Sequence, residues 1–232
     1  MNRVNAERII VDTISILGKA GEISNGRMES HAFRRTDAFK FFFFIVLMCY
    51  VPSILIWLQI LPFEYRFYTF FTVLTGFLFY CGYKRYSFYE LGFRTDNLSS
   101  SIRWNLLFCA VGAVGLYMTY KTGLLRPRNS NNLPYAYALY IFVLGPVQEV
   151  IFRGVLFAEM TRIRILDHRW ILLISTLSFC FLHIIYRHPQ LLVITFVSGL
   201  VWGMIFTKWR NIWGISLSHS LLGALAMFLG VI

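Results

Sequence analysis

An all-α, polytopic transmembrane helix bundle of about seven spans is the fold this sequence predicts, and three observations predict it. Of 232 residues, 57% are hydrophobic and 14% are charged, whereas soluble domains carry about a quarter of their residues as charges. The apolar residues gather into runs close to the length of about 20 that a membrane crossing needs. The 22 lysines and arginines lie scattered between those runs, as topology signals and contacts to anionic lipid head groups would. A net charge of +11 therefore points to a bilayer, and nucleic acid is excluded as the partner because no basic patch sits on a polar domain.

Taken in order, the apolar runs place spans at roughly 39–61, 67–83, 103–120, 135–158, 169–187, 190–207 and 211–232. Residues 1–38 read as a cytoplasmic N-terminal tail. Within them the stretch 6–20 sets Ile9, Ile10, Ile14, Ile16 and Leu17 among charges, the pattern of an N-terminal interfacial helix. Acids and bases are mixed there and no long apolar run precedes Phe39, so a cleavable signal peptide is not expected. The connector 84–103 is polar with an apolar Phe88–Phe93 centre and reads as surface-lying. Residues 39–232 form a single transmembrane domain without internal repeats. Cys49, Cys81, Cys109 and Cys180 each fall in an apolar run without metal-ligand spacing, so reduced, packed thiols are expected.

Orientation follows from the bases. With the N-terminus cytoplasmic, sixteen of them fall on the cytoplasmic side and five on the far side, with Arg153 left inside a span. That asymmetry is the positive-inside pattern. The expectation is an integral, multi-pass membrane protein with its N-terminus in the cytoplasm.

The chemistry lies in what should not be inside a membrane. Ten of the eleven acidic residues fall in the tail, in loops or at span ends, and Glu149 falls within the fourth span. His183 and His219 lie in the fifth and seventh spans, whereas His31, His168 and His188 do not. Ionisable groups at that depth need partners or a water-filled cavity. Glu149 and Arg153 are four apart, hence on one helix face and able to pair; Phe179 and His183 repeat the spacing. Ser216, Ser218, Ser220 and Gly223 surround His219 with small residues, and Gly199 with Gly203 suits close helix approach. Singly, each group reads as well as a structural ion pair or a core histidine. Three helices contributing together point to a shared functional site.

The run Gln148-Glu149-Val150-Ile151-Phe152-Arg153-Gly154 resembles the Glu-Glu-x-x-x-Arg motif of the CAAX protease and bacteriocin-processing (CPBP, Abi) intramembrane glutamic proteases, of the CAAX prenyl protease type. Phe179-x-x-x-His183 is similar to their second motif, and His219 opens the third, His-x-x-x-Asn. Glu90-Leu91-Gly92-Phe93 looks like a Leu-Gly segment preceding the domain, so the resemblance covers about 85–232. It implies an intramembrane endopeptidase acting on a membrane-anchored or lipidated peptide. The first glutamate would activate water, assisted by the second-motif histidine, and the third-motif His and Asn would form an oxyanion site. No cofactor and no metal are implied. Physically, a carboxylate tethered by arginine is a poor proton acceptor, whereas an untethered neighbour in a dry pocket suits a general base.

This chain departs from the motif at both ends of the mechanism. Gln148 stands at the base position and can hold a water without taking its proton. Gly223 stands at the Asn position and offers no side-chain donor. Three accounts stay open: a substitution engineered to trap an inactive enzyme, a natural pseudoprotease serving as scaffold or regulator of a partner membrane protein, or Glu149 acting as base in place of residue 148. A zinc site on Glu149, His183 and His219 suits those ligand types, but Arg153 is nearer to Glu149. A proton-coupled transporter is disfavoured by the lack of a second buried acid. The expected spans also leave Glu149 and His183 at depths about 12 Å apart in a core about 30 Å thick, so the boundaries around 159–190 are expected to shift.

Overall fold

The computed structural model describes residues 36–123, 134–164 and 166–230; the interfacial helix expected at 6–20 lies outside them. Seven helices follow one another: α1 (Thr36–Trp57), α2 (Arg66–Lys84), α3 (Leu98–Lys121), α4 (Pro134–Ile163), α5 (His168–Tyr186), α6 (Pro189–Trp209) and α7 (Ile212–Phe228). No strand is present among the described residues. The all-α bundle is as expected. α1, α3, α4, α5 and α6 are long and apolar enough to cross a membrane. α7 is apolar but has 17 residues, and α2 is rich in tyrosine and threonine.

Many large side chains face outward, among them Phe39, Phe43, Phe79, Phe142, Val193 and Phe228. In water this much exposed apolar surface would aggregate; against acyl chains it is the expected exterior. α4 is the axis of the bundle. Its most apolar stretch is 56% buried, against 11–33% in the other four long helices. α7 packs on α3 and α4, α5 packs on α6, and α1 packs on the last turn of α5.

Two prolines shape the helices that border the site. Pro52 and Pro146 each lack an N–H, and each ring would collide with the carbonyl four residues back. In both cases the preceding turn, Val46–Tyr50 or Tyr140–Leu144, widens to i→i+5 bonding. α4 widens again over Val150–Val155, the stretch that carries Arg153. Wide turns inside α-helices recur at functional sites.

The small residues do what their spacing predicts. A Cβ on Gly199 would come to 3.0 Å of Phe179 and 3.3 Å of the Arg153 guanidinium, and one on Gly203 would strike Leu172. α5 and α6 thereby approach closely. Ser218 accepts from the Trp202 indole at 2.7 Å and donates to Asn105 at 3.0 Å, tying α7 to α6 and α3.

The connector between α2 and α3 is partly inserted rather than surface-lying throughout. Phe88 and Tyr89 are exposed, but Leu91 is buried and its carbonyl lies against Gly154. Gly92, at φ 90°, sits against Phe206 and accepts a hydrogen bond from the Ile212 amide at 2.8 Å. A side chain there would meet both strain and the Phe206 ring.

The depth conflict disappears because α4 is longer than its hydropathy suggests. It continues past 158 to Ile163 and turns within a few residues into His168. Measured from that turn, Glu149 lies about 21 Å along α4 and His183 about 22 Å along α5. The two are level. Extending α4 also corrects the count of buried acids: Glu159, expected at a span end, is 1% exposed.

Candidate active site

Glu149, at the midpoint of α4, is completely buried, as is Arg153. Arg153 Nη1 donates to Glu149 Oε1 at 3.1 Å, and Nη2 donates to the Gly199 carbonyl at 2.9 Å. The guanidinium lies over the Phe179 ring, 4.6 Å from its centre. Phe179 is therefore the cation–π shelf for the arginine. One carboxylate and one guanidinium balance in charge, which is the condition for keeping either at this depth.

His219 completes the cluster from α7. Its Nδ1 lies 2.6 Å from Glu149 Oε1 and its Nε2 lies 3.1 Å from the Tyr140 hydroxyl. A carboxylate only accepts, so Nδ1 carries a proton; in the neutral ring Nε2 then accepts from the phenol. Trp202 stacks on this imidazole at 4.5 Å and 20°, and Phe179 meets it edge-on. Both nitrogens are engaged, and the ring is packed by Trp202, Phe179 and Tyr140.

His183 is held differently. Its Nδ1 is 3.0 Å from the Phe179 carbonyl, so Nδ1–H donates and Nε2 is left as an acceptor. The ring borders two cavities. The smaller, about 120 Å³, lies among α1, α2, α4 and α5 and is also lined by Gln148. The larger, about 350 Å³, is lined by Tyr140, Phe179, His219 and Gly223 together with apolar residues of α3 and α6. Each is roomy enough for several waters.

Four buried side-chain polar atoms have no hydrogen-bonding partner among the described residues: Gln148 Oε1, Glu149 Oε2, Arg153 Nε and Thr176 Oγ1. Three of them belong to the motif on α4. A buried unpaired polar atom costs about 1–3 kcal/mol, and a water or another polar group beside these three would offset that cost.

All seven residues singled out from the sequence fall in this region. Gln148, Glu149, Arg153, Phe179, His183, His219 and Gly223 all lie in the cluster or line its two cavities. Tyr140 and Trp202 belong to it as well and were not read from the sequence. No three His, Cys, Asp or Glu side chains among the described residues gather as a metal-ligand set. With both His219 nitrogens engaged and His183 Nδ1 bonded to backbone, the zinc arrangement on Glu149, His183 and His219 finds no support.

Residues 130–225 match the family model described as Rce1-like, type II CAAX prenyl endopeptidase. The match contains all three motifs and agrees with the CAAX protease resemblance that they carry. It begins well after the Glu90–Phe93 stretch. No curated protein and no solved structure matches the chain.

Proposed function

We propose that this CAAX-type intramembrane endopeptidase fold receives the tail of a membrane-anchored or lipidated peptide, and that the chain as it stands cannot hydrolyse it at an appreciable rate. The observation that carries this reading is the pairing of Gln148 with His183 on one cavity while Glu149 is held by Arg153 and His219. His183 Nε2 and the Gln148 amide can hold a water between them, but the amide cannot take its proton, so the carboxylate base that the motif places at this position is missing. His183 is the residue common to both cavities, so the scissile carbonyl belongs beside it. Lipid and apolar side chains would fill the largely apolar walls, and the bilayer delivers the anchored substrate laterally. The basic end of the bundle, with Lys84, Arg85, Arg94, Arg162, Arg164, Lys208 and Arg210, would face the cytoplasm by the positive-inside rule.

The test is a gain of function. Gln148→Glu, reconstituted in liposomes, is offered a quenched fluorescent peptide ending in a prenylated cysteine and three further residues. Cleavage by the variant, absent in the parent chain and lost again on adding His183→Ala, is the expected outcome. A folded Gln148→Glu protein that stays silent would favour the scaffold reading, in which the cavity binds a partner membrane protein or peptide without cutting it.

A second reading has its own observation: Glu149 Oε2 has no partner, so one oxygen of the tethered carboxylate remains available as base. Cleavage by the parent chain, abolished in Glu149→Gln, would select it.

A further inference from the structure

Gly223 leaves a gap in the third motif, and the fold fills it. The residue lies four positions after His219 on α7, hence on the same face. A Cβ placed on Gly223 would overlap the hydroxyl, Cε1 and Cζ of Tyr140. The phenol stands in the volume that a side chain at 223 would take. From there its hydroxyl reaches His219 Nε2 and borders the larger cavity beside His183. Tyr140 opens the wide turn ahead of Pro146, so its ring enters from α4 rather than from α7.

We propose that Tyr140 supplies from α4 the polar contact that residue 223 would otherwise supply from α7. It holds the His219 ring from the Nε2 side and offers its O–H to the carbonyl oxygen of a bound peptide; this second role rests on the protease-type reading above. A phenol carries one proton and turns about its C–O bond. With the cavity empty the proton points to His219; with a peptide carbonyl in place it points to that oxygen, and no heavy atom has to move. A preset donor of this kind stabilises the charge that develops on the carbonyl oxygen. Positions 140 and 223 are then interchangeable as a pair: an aromatic hydroxyl with glycine, or a small residue with asparagine.

Two measurements test this. In the parent chain, ¹⁵N spectra of histidine-labelled protein in detergent micelles report His219 directly, assigned by its loss in His219→Gln. Tyr140→Phe should move its Nε2 resonance to that of an unbonded imidazole nitrogen, and Tyr140→Ala with Gly223→Asn should move it back. Gly223→Asn alone, which forces two groups into one space, should lower the melting temperature, and adding Tyr140→Ala should restore it. An unchanged His219 resonance in Tyr140→Phe, or no recovery in the double variant, overturns the proposal.

On the Gln148→Glu background, Tyr140→Phe should lower kcat about 10²-fold with little change in KM, and the double variant should recover most of that loss. Parental kcat in Tyr140→Phe overturns the donor role. If Gln148→Glu is silent in every variant, the protease reading is what fails, and the His219 spectra alone decide whether Tyr140 holds the ring.

Discussion

α4 buries two glutamates ten residues apart, and they are satisfied in opposite ways. Glu159, near the basic end, is 1% exposed and has partners on both oxygens. Oε1 takes the Tyr80 hydroxyl at 3.0 Å and the Lys84 ammonium at 2.7 Å, and Oε2 takes the Tyr86 hydroxyl. Glu149 also has a cation and a neutral donor, but both crowd onto Oε1, and Oε2 has nothing. The first carboxylate is closed, a tie between α2, its connector and α4. The second is half open, with one oxygen unpaired, next in sequence to Gln148, which lines the smaller cavity. The two acids thus differ in how fully their oxygens are bonded, one complete and one with an oxygen to spare.

That comparison can be broken by removing the cation from each acid. Arg153→Ala should cost about 3–5 kcal/mol, because Glu149 would be left charged and buried in the dry centre of the bundle. SDS-titration unfolding in mixed micelles would show this as an early transition, or as failure of the variant to accumulate. The loss includes the bond to the Gly199 carbonyl and the packing over Phe179. Lysine at 153 should recover little, since it cannot reach two acceptors in the planar fork that arginine uses.

Lys84→Ala should cost less, about 1–2 kcal/mol. Two tyrosine hydroxyls still bond the Glu159 carboxylate, and the lysine side chain is 22% exposed, so water can approach from that side. Peptide binding and any cleavage gained by Gln148→Glu should be unchanged, as Glu159 lies about 15 Å along α4 from Glu149. Equal losses in Arg153→Ala and Lys84→Ala would sink the distinction between closed and half-open acids.

The difference between the two acids also explains what could be read before the fold was seen. Glu149, Arg153, His183 and His219 stand out because each is costly in an apolar run, and helical spacing pairs the first two. Glu159 hides in Phe-Ala-Glu-Met-Thr-Arg, a stretch polar enough to pass for a helix end. Its burial comes from Tyr80, Lys84 and Tyr86, which sequence spacing does not bring near. The short fourth span and the 12 Å depth conflict have the same cause. Tyr140 was hidden otherwise: one aromatic among many carries no mark of its own. The mark lay at Gly223, where a missing side chain required a neighbour to fill the space. Pro146 was a visible signal for the wide turn that begins at Tyr140, though not for the direction of its ring.

A third acid at the basic end gives the smallest effect and sets the scale for the other two. Glu90 caps its own turn, accepting from the Ser87 amide and hydroxyl at 2.9 Å each, and pairs with Arg162 Nη2 at 2.6 Å. The Ser87 amide first, and the Arg162 guanidinium after it, hold its carboxyl below the ordinary glutamate range. The unfolded chain therefore binds this proton at a higher pH than the folded chain does. The contribution is complete above the ordinary glutamate value and is lost as the pH falls through the lowered one. Both side chains are more than a third exposed, so screening keeps the contribution under about 1 kcal/mol. Glu90→Gln should flatten the acid limb of the stability profile by that amount and leave the neutral-pH stability only slightly lower. Added salt should shrink the parent's acid limb toward the variant's, because exposed charges are screened, while the cost of Arg153→Ala should hardly respond. A salt-insensitive Glu90 contribution would mean that the connector is packed more deeply than its exposed Phe88 and Tyr89 indicate.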